Sequence, residues 1–307
     1  MRKMDSASAR IFVAIIEEGS IGRAAVREHI VASAVSKRLS DLEAMLQVSL
    51  VERSRTGVVP TPAGEALLHH ARMVLRAIDR MHDEMTEYVA GVRGHIRVRV
   101  SSSSLSAGLP VDLQSFVQTH RRVKIDLEEL ETPAIVRDIV ESRADVGIAP
   151  TIFRNESLDW FAYKKYDLVS TVPRNHPLAS LSEVSYLQTL EYDQVEQNRV
   201  SALSQLLDEH AHQAGVVKRT RIRVRGFEAV CSMVGCGMGI GIVPSFLSTH
   251  ADLYGLKMIP LTDAWAHPLI CVLVRDFETL PSAAKAFVAH LRRAAVKGLD
   301  QHLSTKR

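Results

Sequence analysis

At 307 residues with 46% hydrophobic content, the chain is long enough for two or three domains and can bury ordinary cores, so it reads as globular. The formal charge is only +3, and residues 1–60 hold nine Lys/Arg against seven Asp/Glu, so bulk charge does not point to nucleic acid and any phosphate contacts must be placed locally. Three cysteines, odd in number and without metal-ligand spacing, suit a reducing cytoplasm. The apolar run at residues 11–16 is too short for a signal peptide or a membrane span and ends in Glu17-Glu18.

Residues 8–18 put Phe12, Ile15 and Ile16 on one helical face, and Gly19 suits the left-handed residue that ends such a helix. Ser20 caps a second short helix through Arg27, in which Ala24 and Ala25 are small enough to let another helix approach. A turn falls at residues 28–30. In the third helix Val35, Leu39, Leu42 and Leu46 recur at steps of four, three and four, the stripe that a buried face requires. The opposite face offers Ala32, Ser33, Ser36, Lys37 and Ser40. It is short-chained and mildly basic, so a major groove could accept it, with Lys37 reaching phosphate or a guanine edge. Two β-prone runs around Gly57 form a wing carrying Arg53 and Arg55, and Arg23 and Arg38 complete the set of expected DNA contacts.

Thr61-Pro62 opens a long helix, Thr as cap and Pro at the first position, where its missing N–H costs nothing. Along it Leu67, Ala71, Val74, Ile78, Met81, Met85 and Tyr88 alternate gaps of four and three. A helix of about 28 residues spans on the order of 40 Å, enough for a dimerising coiled coil. His69-His70 on this helix point in different directions and are not read as metal ligands. Residues 91–94 read as a hinge.

Beyond it, strand and helix alternate, which argues an α/β unit with a largely parallel sheet: strands at 95–101, 123–130 and 145–149, helices at 109–119 and 133–142. A second lobe follows, with strands at 167–173, 221–226 and 239–244 and helices at 201–214 and 227–234. The strand at 268–274 and the helix at 283–296 return to the first lobe. In open α/β sheets ligands bind beyond the carboxyl ends of strands, where helix N-termini present free N–H groups. Ser102 and Ser103, within the run Ser101–Ser104, sit at such a junction; so do Thr132, Asn198, Ser201 and Phe227. Hydroxyl and amide groups facing across a cleft suit a small anion such as a carboxylate. The glycines at 235–241 have no G-x-G-x-x-G register and lead into a strand, so no cofactor is expected. Asp208, His210 and His212 lack a third supporting ligand, so no metal is expected either.

The strings FVAIIEEGSIGRAAVREHI, AVSKRLSDLE and LVERSRTGVVPTPAGEALL together resemble the winged helix-turn-helix of LysR-type transcriptional regulators, and the two α/β lobes resemble that family's periplasmic-binding-protein-like effector domain. The chain departs from the family pattern at Val31-Ala32, where Ser-Gln is usual. The hydroxyl cap and the adenine-reading amide are thereby lost, with Ala32 left to touch a thymine methyl and Ser33 expected to take over capping. The resemblance implies an α/β protein with a DNA-binding domain at 1–60, a dimerising linker at 61–92 and an effector domain at 93–307. In that domain lobe 1 covers about 93–166 and 268–300, and lobe 2 about 167–267. It further implies a cytoplasmic regulator that binds double-stranded DNA as a dimer or homotetramer on an interrupted palindrome, with effector contacts at Ser102 and Ser103. The competing reading is an enzyme or ligand carrier built on the two-lobed domain.

Overall fold

The computed structural model describes residues 4–54, 57–90, 94–150 and 157–304, and the chain divides into two compact units: Met1–Gly91 with Glu141–Arg143, and Val92–Val140 with Ala144–Arg307.

In the first unit, α1 (Ser6–Glu18) is capped by Asp5, whose carboxylate accepts from the Ser8 N–H at 2.7 Å; that bond holds its pKa below the usual value. Gly19 ends the helix in left-handed geometry. α2 (Ile21–Arg27) and α3 (Ala32–Leu46) follow, joined by a turn in which His29 takes a positive φ. Val35, Leu39 and Leu42 of α3 pack with Phe12, Ile15, Ala24 and Ala25 into one core. The wing is a two-stranded antiparallel hairpin, β1 (Val51–Ser54) and β2 (Gly57–Pro60), anchored where the Val58 N–H donates to the Gly19 carbonyl at 2.9 Å.

α4 (Pro62–Ala90) begins as the sequence suggests, with the Thr61 hydroxyl accepting from the Gly64 N–H. The expected dimer seam needs a correction at its start. Ala71 is fully buried in this unit's own core and Leu67 packs against it, so neither is available to a second helix. From Val74 onward most of the stripe is free: Val74, Met81 and Met85 are exposed, with Met73 beside them, and Ile78 is half-buried, while the side chain of Tyr88 lies outside the described residues. Glu17 fastens α4 to α1 and α2 together, meeting Arg72 at 3.0 Å and Arg27 at 2.9 Å.

The second unit has two lobes. The first contains β3 (Gly94–Val100), α5 (Ser102–Ser106), α6 (Leu109–Thr119), β4 (Val123–Glu129), α7 (Thr132–Val140), β5 (Val146–Pro150) and β6 (Asp159–Lys165). The chain then crosses into β7 (Leu168–Pro173), α8 (Tyr186–Thr189), β8 (Gln194–Gln197), α9 (Ala202–Gln213), β9 (Thr220–Val224), α10 (Phe227–Gly235), β10 (Gly241–Pro244), α11 (Ser248–Leu253) and β11 (Leu256–Pro260). It returns as β12 (Leu269–Val274) and α12 (Ser282–Ser304). The first lobe's sheet has the order β4-β3-β5-β12-β6, in which β12 alone runs against its neighbours. In the second lobe β8 pairs with β9 in parallel and touches the β10 edge through the Gln194–Ile240 bridge, while β7 runs antiparallel to both β10 and β11. The expectation of largely parallel sheets therefore holds except for the strand that arrives from the other lobe. Strands β6, β8 and β11 were not expected from sequence. β8 reads Gln-Val-Glu-Gln yet is buried throughout, because Lys218 lies 2.7 Å from Glu196 and Arg223 reaches its other oxygen. Among the described residues no helix is long and apolar enough to cross a membrane.

The entry of α4 is tight: a Cβ on Gly64 would stand 2.0 Å from the Leu50 carbonyl oxygen, which already accepts from the Thr61 N–H. Gly64→Ala should therefore cost about 2–3 kcal/mol in a denaturant titration followed by circular dichroism. An unchanged midpoint would show that the wing and helix can separate freely.

Candidate functional site

Two arrays of polar side chains remain once the cores are assigned. The first is the outer face of α3. At about 100° per residue, Ala32, Ser33, Ser36, Lys37 and Ser40 share one side of the helix. All are exposed except Ser36, which is half-buried. Lys37 has no ion-pair partner among the described residues. The other expected cations are more committed. Arg23 donates to the Glu18 carbonyl and pairs with its carboxylate at 3.8 Å. Arg38 turns away from the Ala32–Ser40 face toward the start of α1, 3.6 Å from Asp5 and 3.4 Å from the Ser8 hydroxyl. Arg53 lies on β1 opposite Val58, with its side chain outside the described residues, as is the whole of Arg55.

The capping expectation is overturned. Val31 is the N-cap residue of α3, no side chain closes that end, and Ser33 projects into solvent in the first turn. A cap must sit at the residue before the helix, and Ser33 is already inside it. Val31 itself is 68% exposed at the leading end of the free face.

The second array lies at the carboxyl ends of the parallel strands in the two-lobed unit. Ser101 caps α5, accepting from the Ser104 N–H, and its hydroxyl bonds those of Ser103 at 3.0 Å and Ser104 at 2.8 Å. The Ser104 hydroxyl donates in turn to the Ile148 carbonyl. Ser103 is buried and also meets the Tyr166 phenol, whose pKa burial raises well above its ordinary value, so its hydroxyl is engaged internally. Ser102 is half-buried, with no hydrogen-bond partner among the described residues. One strand over, the Leu130 N–H donates to the Val100 carbonyl, which sets the start of α7 beside the serine turn. There Thr132 is buried and its hydroxyl has no partner among the described residues.

In the second lobe Ser201 caps α9, accepting from the Ser204 N–H at 3.1 Å, and Asn198 bridges the gap: its amide donates to Glu131 of the first lobe at 2.9 Å. This one bond brings the Thr132 and the Asn198–Ser201 junctions together. Phe227 starts α10 with its ring buried in the core, a packing role rather than a surface one. Glu131 was missed from sequence, although it immediately precedes Thr132 at a strand-to-helix junction and so carried the same signal. The residues considered for metal have other work: Asp208 lies 2.6 Å from Lys218, and the His210 ring stacks on Trp265 with centroids 4.2 Å apart. Gly237 and Gly239 have positive φ in the turn from α10 to β10; a Cβ on Gly239 would meet the Asp193 carbonyl at 2.4 Å.

Residues 7–65 match the family model for bacterial regulatory helix-turn-helix proteins of the lysR family, and residues 90–296 match the LysR substrate binding domain. The chain belongs to the LysR family. This LysR-type chain is a DNA-binding transcriptional regulator with an effector-binding domain, not an enzyme. It is 27% identical over 285 residues to the HTH-type transcriptional regulator BenM of Acinetobacter baylyi, covering 90% of this chain and 91% of that protein. Its fold is shared with a full-length OxyR variant from Pseudomonas aeruginosa (TM-score 0.76, 17% identity, 95% and 96% of the two chains). It is likewise shared with full-length CbnR complexed with its target DNA (TM-score 0.64, 22% identity, 95% and 100%).

The serines of this LysR-type regulator divide by whether they cap. Ser201→Ala should cost about 1 kcal/mol of thermal or chemical stability, because it removes the cap of α9. Ser33→Ala should change stability by no more than a few tenths of that; equal losses would mean the hydroxyl at Ser33 supports α3 after all.

Proposed function

We propose that the regulator inserts the Ala32–Ser40 face of α3 into the major groove of an operator half-site, with the wing residues Arg53 and Arg55 along the backbone. The single observation that supports this most is the outward presentation of small polar side chains, and of a Lys37 with no ion-pair partner among the described residues, on a helix whose other face is buried. On this reading residues 1–60 are the DNA reader and residues 61–92 the dimerising linker, with Val74, Ile78, Met81 and Met85 as its seam. A dimer presents two recognition helices to a two-fold symmetric site, and a dimer of dimers spans an interrupted palindrome. Residues 93–307 sense a small carboxylate-bearing effector between the lobes, through Ser102, Thr132, Asn198 and Ser201. Ligand binding then shifts the spacing of the dimers by favouring one arrangement over the other, and relaxes the bend in the operator. The site of action is the cytoplasm.

Gel-shift titrations on the promoter of the regulator's own gene, run across a salt series, test the interface. Lys37→Ala should weaken binding across sequences and reduce the slope of log affinity against log salt by about 0.9. Arg38→Ala should have less effect, since Asp5 already holds that guanidinium. A Lys37→Ala slope equal to the wild type's removes this face from the interface. For the linker, Val74→Asp with Met81→Asp should convert dimers to monomers in sedimentation velocity while leaving helicity unchanged. Persistence of the dimer would place the seam elsewhere.

A further inference from the structure

We propose that the ligand of the interlobe cleft is a small carboxylate that also bears an amine, its carboxylate received by Thr132 and its ammonium group by Glu131. This rests on the reading that the cleft is the effector site and narrows the chemistry of what enters it. Glu131 is fixed at the start of α7, where its carbonyl accepts from the Ala134 and Ile135 N–H groups at 2.9 and 3.1 Å. The side chain reaches the second lobe, where one oxygen accepts from the Asn198 amide. Asn198 cannot turn away, because its own oxygen accepts from the Val200 and Ser201 N–H groups.

Among the described residues Glu131 meets no cation, a condition it shares with Asp159, Asp263 and Asp276, each of which accepts from a backbone N–H instead. Elsewhere in this unit Asp112 has Lys164, Asp138 has Arg99, Asp145 has Arg97, and Glu196 has Lys218, each within 3.4 Å. Glu131 has a neutral amide on one oxygen and, among the described residues, no hydrogen-bond donor on the other. Beside it Thr132 is only 2% exposed, and its hydroxyl, like those of Ser170 and Thr171, has no partner among the described residues. A buried hydroxyl in that condition calls for an acceptor. A simple anion would supply the acceptor but would meet the like charge of Glu131. A ligand that carries both an oxygen acceptor and a cationic donor meets both demands. An amino acid is the smallest common molecule of that kind.

Full-length protein should be titrated by calorimetry and thermal shift with the common α-amino acids and, in parallel, the same carbon skeletons lacking the amine. At least one amino acid is expected to bind, with its amine-free counterpart weaker by on the order of 100-fold. Glu131→Gln should remove most of that difference, and Thr132→Val should weaken both members of the pair. Circular dichroism melts of both variants establish that they fold. If amine-free acids bind as well as amino acids, or if Glu131→Gln preserves the discrimination, the ligand class is wrong; sensitivity to Thr132→Val would then still keep the site in the cleft. Binding that ignores both substitutions overturns the cleft reading itself. A panel in which nothing binds overturns the proposed class.

Discussion

A strand that passes from one lobe into the other has to enter its new sheet from the opposite end, and that constraint orders the whole two-lobed unit. β7 runs against β10 and β11, and β12 runs against β5 and β6. With the crossing strands reversed, the remaining strands of each lobe can all point one way, so their carboxyl ends collect at a single edge. Helices that follow those strands start at the same edge and present their N-terminal N–H groups there. The Glu131–Asn198 bond shows that the two edges meet, so the polar junctions of separate lobes become one cleft.

In the first unit, burial of Val35, Leu39 and Leu42 leaves α3 only one way to lie, and the residues that must then face outward are small. Glu17 reinforces the arrangement by holding Arg27 and Arg72 at once. Arg72 is nearly buried, so its charge needs that carboxylate more than a surface guanidinium would. α4 thus serves two purposes along its length: its first three turns complete the core around α1, and most of the stripe from Val74 onward is left exposed. An apolar stripe of that kind is unfavourable in water, which makes a second copy of the helix its natural cover.

Periodicity made the helix-turn-helix, the wing and the long helix legible from sequence, because each buries a regular stripe. It also made most of the α/β alternation legible. Legibility failed at β8, whose Gln194, Glu196 and Gln197 are polar residues buried by charge pairing, a tertiary arrangement that no local pattern encodes. It failed also for the start of the α4 seam, since a heptad looks the same whether its first members face a neighbouring helix or their own domain. Among the site residues, strand-to-helix junctions were readable as places, but not as partners. That Ser103 spends its hydroxyl on Ser101 and that Phe227 faces the core are matters of packing, and that Asn198 meets Glu131 depends on how the two lobes sit together. Arg38, expected as a phosphate contact and not as part of the Ala32–Ser40 face, is set by helical geometry toward Asp5 at the start of α1.

The uncapped start of α3 follows from the same accounting. A Ser or Asp before a helix typically contributes about 1 kcal/mol, and Val31 forgoes it. Nothing in the unit's core compensates, for Val31 is not buried. Its position is instead the leading edge of the face proposed to enter the groove, next to Ala32, so the pair offers apolar surface where the family pattern offers a hydroxyl and an amide. In a major groove the apolar feature that distinguishes one base pair from another is the thymine methyl. On the proposed reading, such a helix discriminates by contact with methyl groups and by duplex shape, with Lys37 and the wing supplying affinity that is blind to sequence.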